Sequence, residues 1–173
     1  MFLLFIFISL FLVVGFSIIP GSKPETEIFG GGNVVQIGLV VKDIEKTSKA
    51  YADFLSVEVP QWFLTDTVDK AHTEFKGKTT ASRAKLAFFQ LNNITIELIE
   101  PVGGPSTWQE FLDTHGEGVH HIAFKIKGME EKIKKLAAKD MVLIQKGDYE
   151  GGRYSYIDAS LRLCVLLELL ENF

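Results

Sequence analysis

Positions 1–20 carry no charge and, apart from Ser9 and Ser17, are apolar, and Lys23 is the first charged residue. Phe2, Phe5, Phe7, Phe11 and Phe16 stand there among Leu, Ile and Val, over close to the roughly 20 residues that span a bilayer. The stretch reads as a secretory leader or an N-terminal membrane anchor. No Lys or Arg precedes the apolar run and no Ala-x-Ala-like site follows it, so both readings stay open. A soluble core helix this apolar on every face is unusual. Residues 21–32, with Gly21, Ser22, Pro24 and Gly30 to Gly32, read as a linker.

From residue 33 the pattern changes to alternation followed by helical spacing, and it occurs twice. Asn33-Val-Val-Gln-Ile-Gly-Leu-Val-Val-Lys-Asp-Ile-Glu matches Gly118-Val-His-His-Ile-Ala-Phe-Lys-Ile-Lys-Gly-Met-Glu. Setting Gln36 on His121 also pairs Ile37 with Ile122, Lys42 with Lys127, Glu45 with Glu130 and Ala52 with Ala137. Each copy predicts a strand and then a helix. Strand alternation puts Val35, Ile37, Leu39 and Val41 under the helix and Gln36 on the opposite face. Asp43 is the predicted N-cap, with Ile44, Ser48, Tyr51 and Leu55 on one helical face. In the second copy Met129, Ile133, Leu136 and Ala137 take that role. The tails match as well: Ile94-Thr-Ile-Glu-Leu-Ile-Glu100 and Val165-Leu-Leu-Glu-Leu-Leu-Glu171. Each follows a strand-like run, Lys85 to Leu91 and Arg153 to Ile157, with turn chemistry at Asn92-Asn93 and at Asp158 to Ser160. Each half therefore reads strand, helix and small antiparallel meander, an α+β chain. Between them, residues 101–106 form a loop, and Ser106 with Gln109 makes a capping box for a short helix through Thr114. Two copies are too few for a solenoid. They predict two pseudo-equivalent modules, about 33–100 and 118–171, sharing one core within a domain of residues 33–173.

Composition narrows the function classes. At 173 residues, 47% hydrophobic and 23% charged, the chain is globular and holds one domain or two small halves. Its net charge of -4 argues against a nucleic-acid surface, which needs clustered Lys and Arg. Cys164, the single cysteine, excludes an intramolecular disulfide and a Cys-based zinc site.

Four polar residues stand where the pattern calls for apolar ones. Gln36 and His121 occupy equivalent strand positions. Glu97 lies between Ile96 and Leu98, and Glu168 between Leu167 and Leu169. A buried carboxylate must be paired, protonated or bound to a metal. If the modules pair about a pseudo-two-fold axis, Gln36, Glu97, His121 and Glu168 converge on one cavity. Three oxygens and one nitrogen suit a divalent Mn, Co, Ni or Zn ion with positions left for water or substrate. They do not suit a redox copper centre or an iron–sulfur cluster. The plainer alternative is a solvated sheet face carrying four ordinary polar residues.

With these residues in place the sequence resembles the vicinal oxygen chelate superfamily, which includes glyoxalase I, methylmalonyl-CoA epimerase, extradiol dioxygenases and bleomycin-resistance proteins. The resemblance covers about residues 33–171. Its most telling segments are Ile96-Glu-Leu-Ile-Glu-Pro101 and Gly116-Glu-Gly-Val-His-His-Ile-Ala-Phe124, closest to the epimerase-like branch. It implies two paired βαβββ modules closing a metal-binding cup, with the metal ligands at Gln36, Glu97, His121 and Glu168. Gln36 replaces the more usual His, as in some glyoxalase I enzymes. It counts against an extradiol dioxygenase, whose iron needs two His and one carboxylate. Asp158-Ala-Ser-Leu-Arg162 departs from the Asp-Pro-Asp-Gly-type turn of glyoxalase I. The implied activity is that of a metal-dependent isomerase or lyase, which removes a proton next to a carbonyl by way of a metal-stabilised enolate. Glu168 is the expected base and Glu97 the paired carboxylate. A glyoxalase-type lyase acting on a hemithioacetal and a non-catalytic small-molecule-binding protein of the same fold are the alternatives. Family members often form homodimers.

Other residues have two readings each. Arg153 and Arg83, near strand starts, either hold a substrate carboxylate or are ordinary edge-strand charges. Residues 146–152 form a glycine-rich lid or a plain connector. Trp62, Phe63 and Trp108 line a pocket or fill the core. Glu74, and more weakly His72, are candidates for a second acid, and His120 is placed on the strand face away from the ligands. The leader directs the domain to a secreted, periplasmic or membrane-anchored location. A CoA substrate instead requires the cytoplasm.

Overall fold

The computed structural model describes Phe29 and residues 32–173; the expected leader and most of the expected linker lie outside the described residues. In chain order the elements are β1 (Val34–Val40), α1 (Ile44–Leu55), β2 (Phe63–Leu64), α2 (Val68–Ala71), β3 (Glu74–Phe75), β4 (Lys78–Thr79), β5 (Arg83–Gln90), β6 (Thr95–Val102), α3 (Thr107–His115), β7 (Gly118–Lys125), α4 (Met129–Ala137), β8 (Val142–Tyr149), β9 (Gly152–Asp158), α5 (Ser160–Leu163) and β10 (Leu166–Asn172). The strands form one curled mixed sheet in the order β2-β5-β6-β1-β7-β10-β9-β8-β3-β4. The repeat is visible in that order. β2-β5-β6-β1 is one module, β8-β9-β10-β7 is its counterpart, and they meet at the antiparallel pair β1–β7. Within each module the first strand pairs parallel with the last, β1 with β6 and β7 with β10. The excursion β3–β4, from the first module, pairs with β8 of the second.

Helix α1 forms where Asp43 caps it, its Oδ1 accepting from the Lys46 amide at 2.9 Å. Its buried residues Ile44 and Ala52 join Val41, Ala87, Phe89 and Leu98, with Tyr51 and Leu55 at the margin. Helix α4 makes the equivalent core from Met129 and Leu136 with Met141, Ile157, Leu167 and Leu169. Ala137 is exposed rather than packed, because α4 ends there. Phe29, inside the stretch read as linker, stacks on Phe124 with ring centroids 4.7 Å apart. A third cluster (Val40, Ala84, Ile99, Trp108 and Tyr156) lies on the other face of the sheet beneath α3. There Ser106 caps as predicted, accepting from the Gln109 amide.

The repeat extends to the helix starts. Glu100 Oε2 accepts from the Ile44 amide at 2.8 Å. Its counterpart Glu171 accepts from the amides of Gly128 and Met129 at 2.5 and 3.3 Å. Each carboxylate also holds a cation from the strand beside it, Lys85 at 2.6 Å for Glu100 and Arg153 at 2.6 and 2.8 Å for Glu171. A carboxylate suits these places because the first turn of a helix leaves N–H groups unpaired and carries partial positive charge. α4 depends on it more, since its N-cap, Gly128, has no side chain to cap with.

Strand alternation fails at two places, and both matter to the site. Along β1–β7, Val34 pairs with Phe124 and Gln36 with Ala123, so Val35 is skipped. Gly38 pairs with His121 and Leu39 with Val119, so His120 is skipped. Each strand thus bulges at the residue just before its Gln36 or His121, and a bulge re-aims the side chains around it. The stretch read as a lid is the β8–β9 hairpin, with Glu150-Gly151 at its tip. No helix among the described residues is long and apolar enough to cross a membrane.

Candidate metal centre

The curled sheet encloses a cavity of about 410 Å³, with Gln36 (β1), Glu97 (β6) and Glu168 (β10) in its lining. His121 (β7) is not in the lining but lies directly against Glu97 and Glu168. All four residues are buried, with fractional exposures of 9, 5, 4 and 0% for Gln36, Glu97, Glu168 and His121. One ligand atom from each of Glu97, His121 and Glu168 lies within 4.8 Å of the others. Gln36 Nε2 donates to Glu97 Oε2 at 2.6 Å and reaches Glu168 Oε2 at 3.5 Å. His121 Nε2 is 3.1 Å from Glu168 Oε2 and 3.5 Å from Glu97 Oε2. These contacts are close, yet neither has hydrogen-bond geometry, and Nε2 is a buried nitrogen without a hydrogen-bond partner among the described residues. The four residues predicted from the repeat therefore come together, two from each module.

The local sequence makes room for this. Gly38 faces His121 across the β1–β7 ladder. A Cβ at residue 38 would stand 1.9 Å from His121 Cε1, so only glycine leaves space for the imidazole. His121 Nδ1 lies 3.1 Å from His120 Nδ1. Burial, and next to it the neighbouring His121, hold His120 well below the usual histidine range.

The electrostatics leave the two carboxylates either to share a proton or to hold a cation. Burial, then the adjacent Glu168 carboxylate, push Glu97 well above the usual carboxylate range, against the pull of the Gln36 hydrogen bond. Two carboxylates taken out of water, with no Lys or Arg among the described residues acting on Glu97, are costly. Two carboxylate oxygens, an orphaned imidazole nitrogen and an amide are a donor set that fits a divalent ion. An amide ligates through oxygen, so Gln36 would serve with its amide turned over.

The cavity walls are aromatic: Phe63, Phe88, Trp108, Tyr149, Tyr154 and Tyr156, with Lys125 the one cation among the described lining residues. Burial raises the hydroxyls of Tyr149, Tyr154 and Tyr156 above their ordinary value. Phe63 and Trp108 are thus pocket residues, whereas Trp62 is partly exposed beneath Lys85. Sequence reasoning missed the three tyrosines. Alternation along β9 would have found Tyr154 and Tyr156, because Tyr156 pairs with Glu168 across the ladder.

Arg153 and Arg83 are not brought to the cavity. Arg153 alternates with the two tyrosines, so it faces α4, where it binds Glu171 and Glu130. Arg83 alternates likewise, and its Nε donates to the Thr65 carbonyl at 2.6 Å. Glu74 and His72 also lie elsewhere, in a smaller cavity that Arg153 lines on the α4 side. There they pair with Lys146 and Asp148. Val35, predicted to pack under α1, lines the main cavity because of the bulge.

Comparison with known proteins agrees with this architecture. The family model described as Glyoxalase/Bleomycin resistance protein/Dioxygenase superfamily matches residues 35–157. The uncharacterized protein YqjC of Bacillus subtilis (strain 168) is 33% identical over 92 residues, a match covering 51% of this chain. The chain spans 66% of that relative's length, just under two thirds. Among solved structures, hypothetical protein BH1468 from Bacillus halodurans C-125 superposes with a TM-score of 0.59 at 23% identity, over 83% of this chain and 96% of that one. Methylmalonyl-CoA epimerase from Mycobacterium tuberculosis superposes with a TM-score of 0.55 at 21% identity, over 82% and 88%. Both likenesses are of fold.

Proposed function

The chain belongs to the Glyoxalase/Bleomycin resistance protein/Dioxygenase superfamily, the vicinal oxygen chelate group, and we propose that within it the protein is a metal-dependent isomerase or lyase that removes a proton next to a carbonyl, as a methylmalonyl-CoA epimerase does. The observation that carries this is the buried Glu97, His121 and Glu168 cluster, two carboxylates in the lining of one cavity with an orphaned imidazole nitrogen against them. With Gln36 these residues would hold Co, Ni, Mn or Zn. A divalent ion held there supplies Lewis-acid stabilisation of the charge that builds on a carbonyl oxygen when its neighbouring carbon loses a proton.

The chain's own groups do the rest. Glu168 is the base, and Glu97, entering from the other module, is the partner carboxylate for return of the proton. The aromatic walls exclude water from the reacting carbon and strengthen every charge interaction around it. Lys125 at the rim is the group available for a substrate carboxylate. Neither Arg153 nor Arg83 takes part. The apolar residues 1–20 support a domain that is exported or anchored. A CoA ester substrate then fits only an anchored domain that faces the cytoplasm, and an exported domain acts on a different substrate.

Metal content of the purified full chain, measured by mass spectrometry, tests the first half of the reading. About one divalent ion per chain, lost in both Gln36→Ala and His121→Ala, is the expected result. Exchange of the substrate α-proton in D2O, with methylmalonyl-CoA and with a hemithioacetal in parallel, tests the second half and separates epimerase from glyoxalase chemistry. No ion after reconstitution with Co, Ni, Mn and Zn sinks both and leaves a binding protein of the same fold.

A further inference from the structure

Resting on that reading of the metal centre, we propose that His120 is a positioning residue: through Thr107 it selects the tautomer of His121 whose Nε2 lone pair faces the carboxylates. Three observations converge on it. The first is placement. His120 is the bulged residue of β7, skipped by the ladder, and is 1% exposed. Its ring is boxed edge-on by Phe111 and Tyr156, with centroids at 5.3 and 5.2 Å, so its two nitrogens point in fixed directions.

The second is the hydrogen-bonded chain. His121 Nδ1 and His120 Nδ1 are 3.1 Å apart, and His120 Nε2 is 3.1 Å from Thr107 Oγ1. Two facing Nδ1 atoms on neutral rings share one proton, so the position on one ring dictates the position on the other. If His121 is to present a lone pair at Nε2, its proton sits on Nδ1 and is donated to His120 Nδ1. His120 then carries its own proton on Nε2, where Thr107 Oγ1 is placed to accept it. Thr107 is itself held, because its amide donates to the buried Gln145 Oε1 at 2.8 Å. The orphaned state of His121 Nε2 fits this tautomer.

The third is the broken symmetry of the repeat. The bulge residue of β1 that corresponds to His120 is Val35, which has no hydrogen-bonding side chain. Its neighbour Gln36 has no tautomer to select. The module whose ligand is a histidine carries a histidine in the bulge, and the module whose ligand is an amide carries a valine.

The test is carried out on the full chain labelled with ¹⁵N-histidine and loaded with Zn²⁺. Long-range ¹H–¹⁵N correlation spectra are expected to show His121 protonated at Nδ1 and His120 at Nε2. A spectrum with His120 protonated at Nδ1 overturns the proposal. Zn²⁺ affinity by chelator competition gives a second readout. His120→Leu removes the acceptor and is expected to weaken binding about 10–100-fold, whereas His120→Asn, whose side-chain carbonyl can accept from Nδ1–H, recovers most of the loss. Equal affinity of wild type and both variants removes the positioning role but leaves the metal centre intact. A wild-type chain that takes up no Zn²⁺ removes the metal centre itself, and the positioning role with it. Should His120→Leu fail to fold, the wild-type tautomers alone decide.

Discussion

At residue 38 the absence of a side chain is what admits the His121 ring. A Cβ there would overlap the His121 ring, at 1.9 Å from Cε1, and the ring is fully buried and has nowhere to retreat. Gly38→Ala is therefore expected to weaken divalent-metal binding tenfold or more, and to cost about 1–3 kcal/mol of stability through overpacking. Isothermal titration with Zn²⁺ and urea denaturation read these two effects. Glu97 gives a pH prediction whose sign follows from burial. Its native-state pKa is raised well above the usual carboxylate value, first by desolvation and then by Glu168, so between the two values the native chain binds more protons than the unfolded one. The metal-free protein is then most stable below the ordinary carboxylate pKa and loses stability as pH rises through the raised one. Glu97→Gln should flatten that slope and stabilise the metal-free chain at pH 8 while abolishing metal uptake. Urea midpoints collected from pH 4 to pH 8 would expose the idea as wrong if wild type and variant ran parallel. The four site residues were legible because each is a polar interruption of an apolar strand at a repeat-equivalent position. The tyrosines were not, since a Tyr in a strand carries no such contradiction. His120 was misplaced because strict alternation cannot anticipate a bulge.

At the level of elements the repeat explains what a search for binding residues misread. Arg153 and Lys85 are equivalent strand cations, each holding a glutamate that accepts from the start of a helix. The signal was present in the aligned tails ending in Glu100 and Glu171, but helix-start chemistry between distant strands and helices has no local sequence signature. Arg153, before any other influence, holds Glu171 below the usual carboxylate range. This contribution is present above the ordinary carboxylate pKa and fades as pH falls through the lowered value. Arg153→Ala should lower the melting temperature and leave KM for any substrate within about twofold, since the side chain faces α4; a KM raised tenfold would return it to the substrate. Glu171→Ala should cost about 1–2 kcal/mol, the usual range for a lost helix cap. Glu100→Ala should cost less, because Asp43 caps α1 independently, whereas the N-cap of α4 is a glycine and Glu171 is the side chain that accepts there. The strand–helix–meander order was readable from periodicity. Strands β2, β3 and β4 were not, because two-residue strands are too short to show any period.

For the molecule as a whole, the two modules are equivalent in design but not separable. They share the β1–β7 ladder, and β3–β4 leaves the first module to extend the sheet edge of the second. The candidate ligands are divided in the same way, with Gln36 and Glu97 from one module and His121 and Glu168 from the other. A ligand that needs both modules binds the native state and not a half-unfolded one, so it stabilises them together, by about 2.7 kcal/mol at a free concentration of 100 times Kd. The whole-molecule prediction is a single cooperative transition. Far-UV circular dichroism and Trp fluorescence, which samples Trp62 and Trp108, should report one common urea midpoint for the metal-free chain. Zn²⁺ should move both signals upward by the same amount. Separate midpoints, or a Zn²⁺ shift seen by one signal alone, would mean that each module holds its own structure and that the four residues do not act as one site.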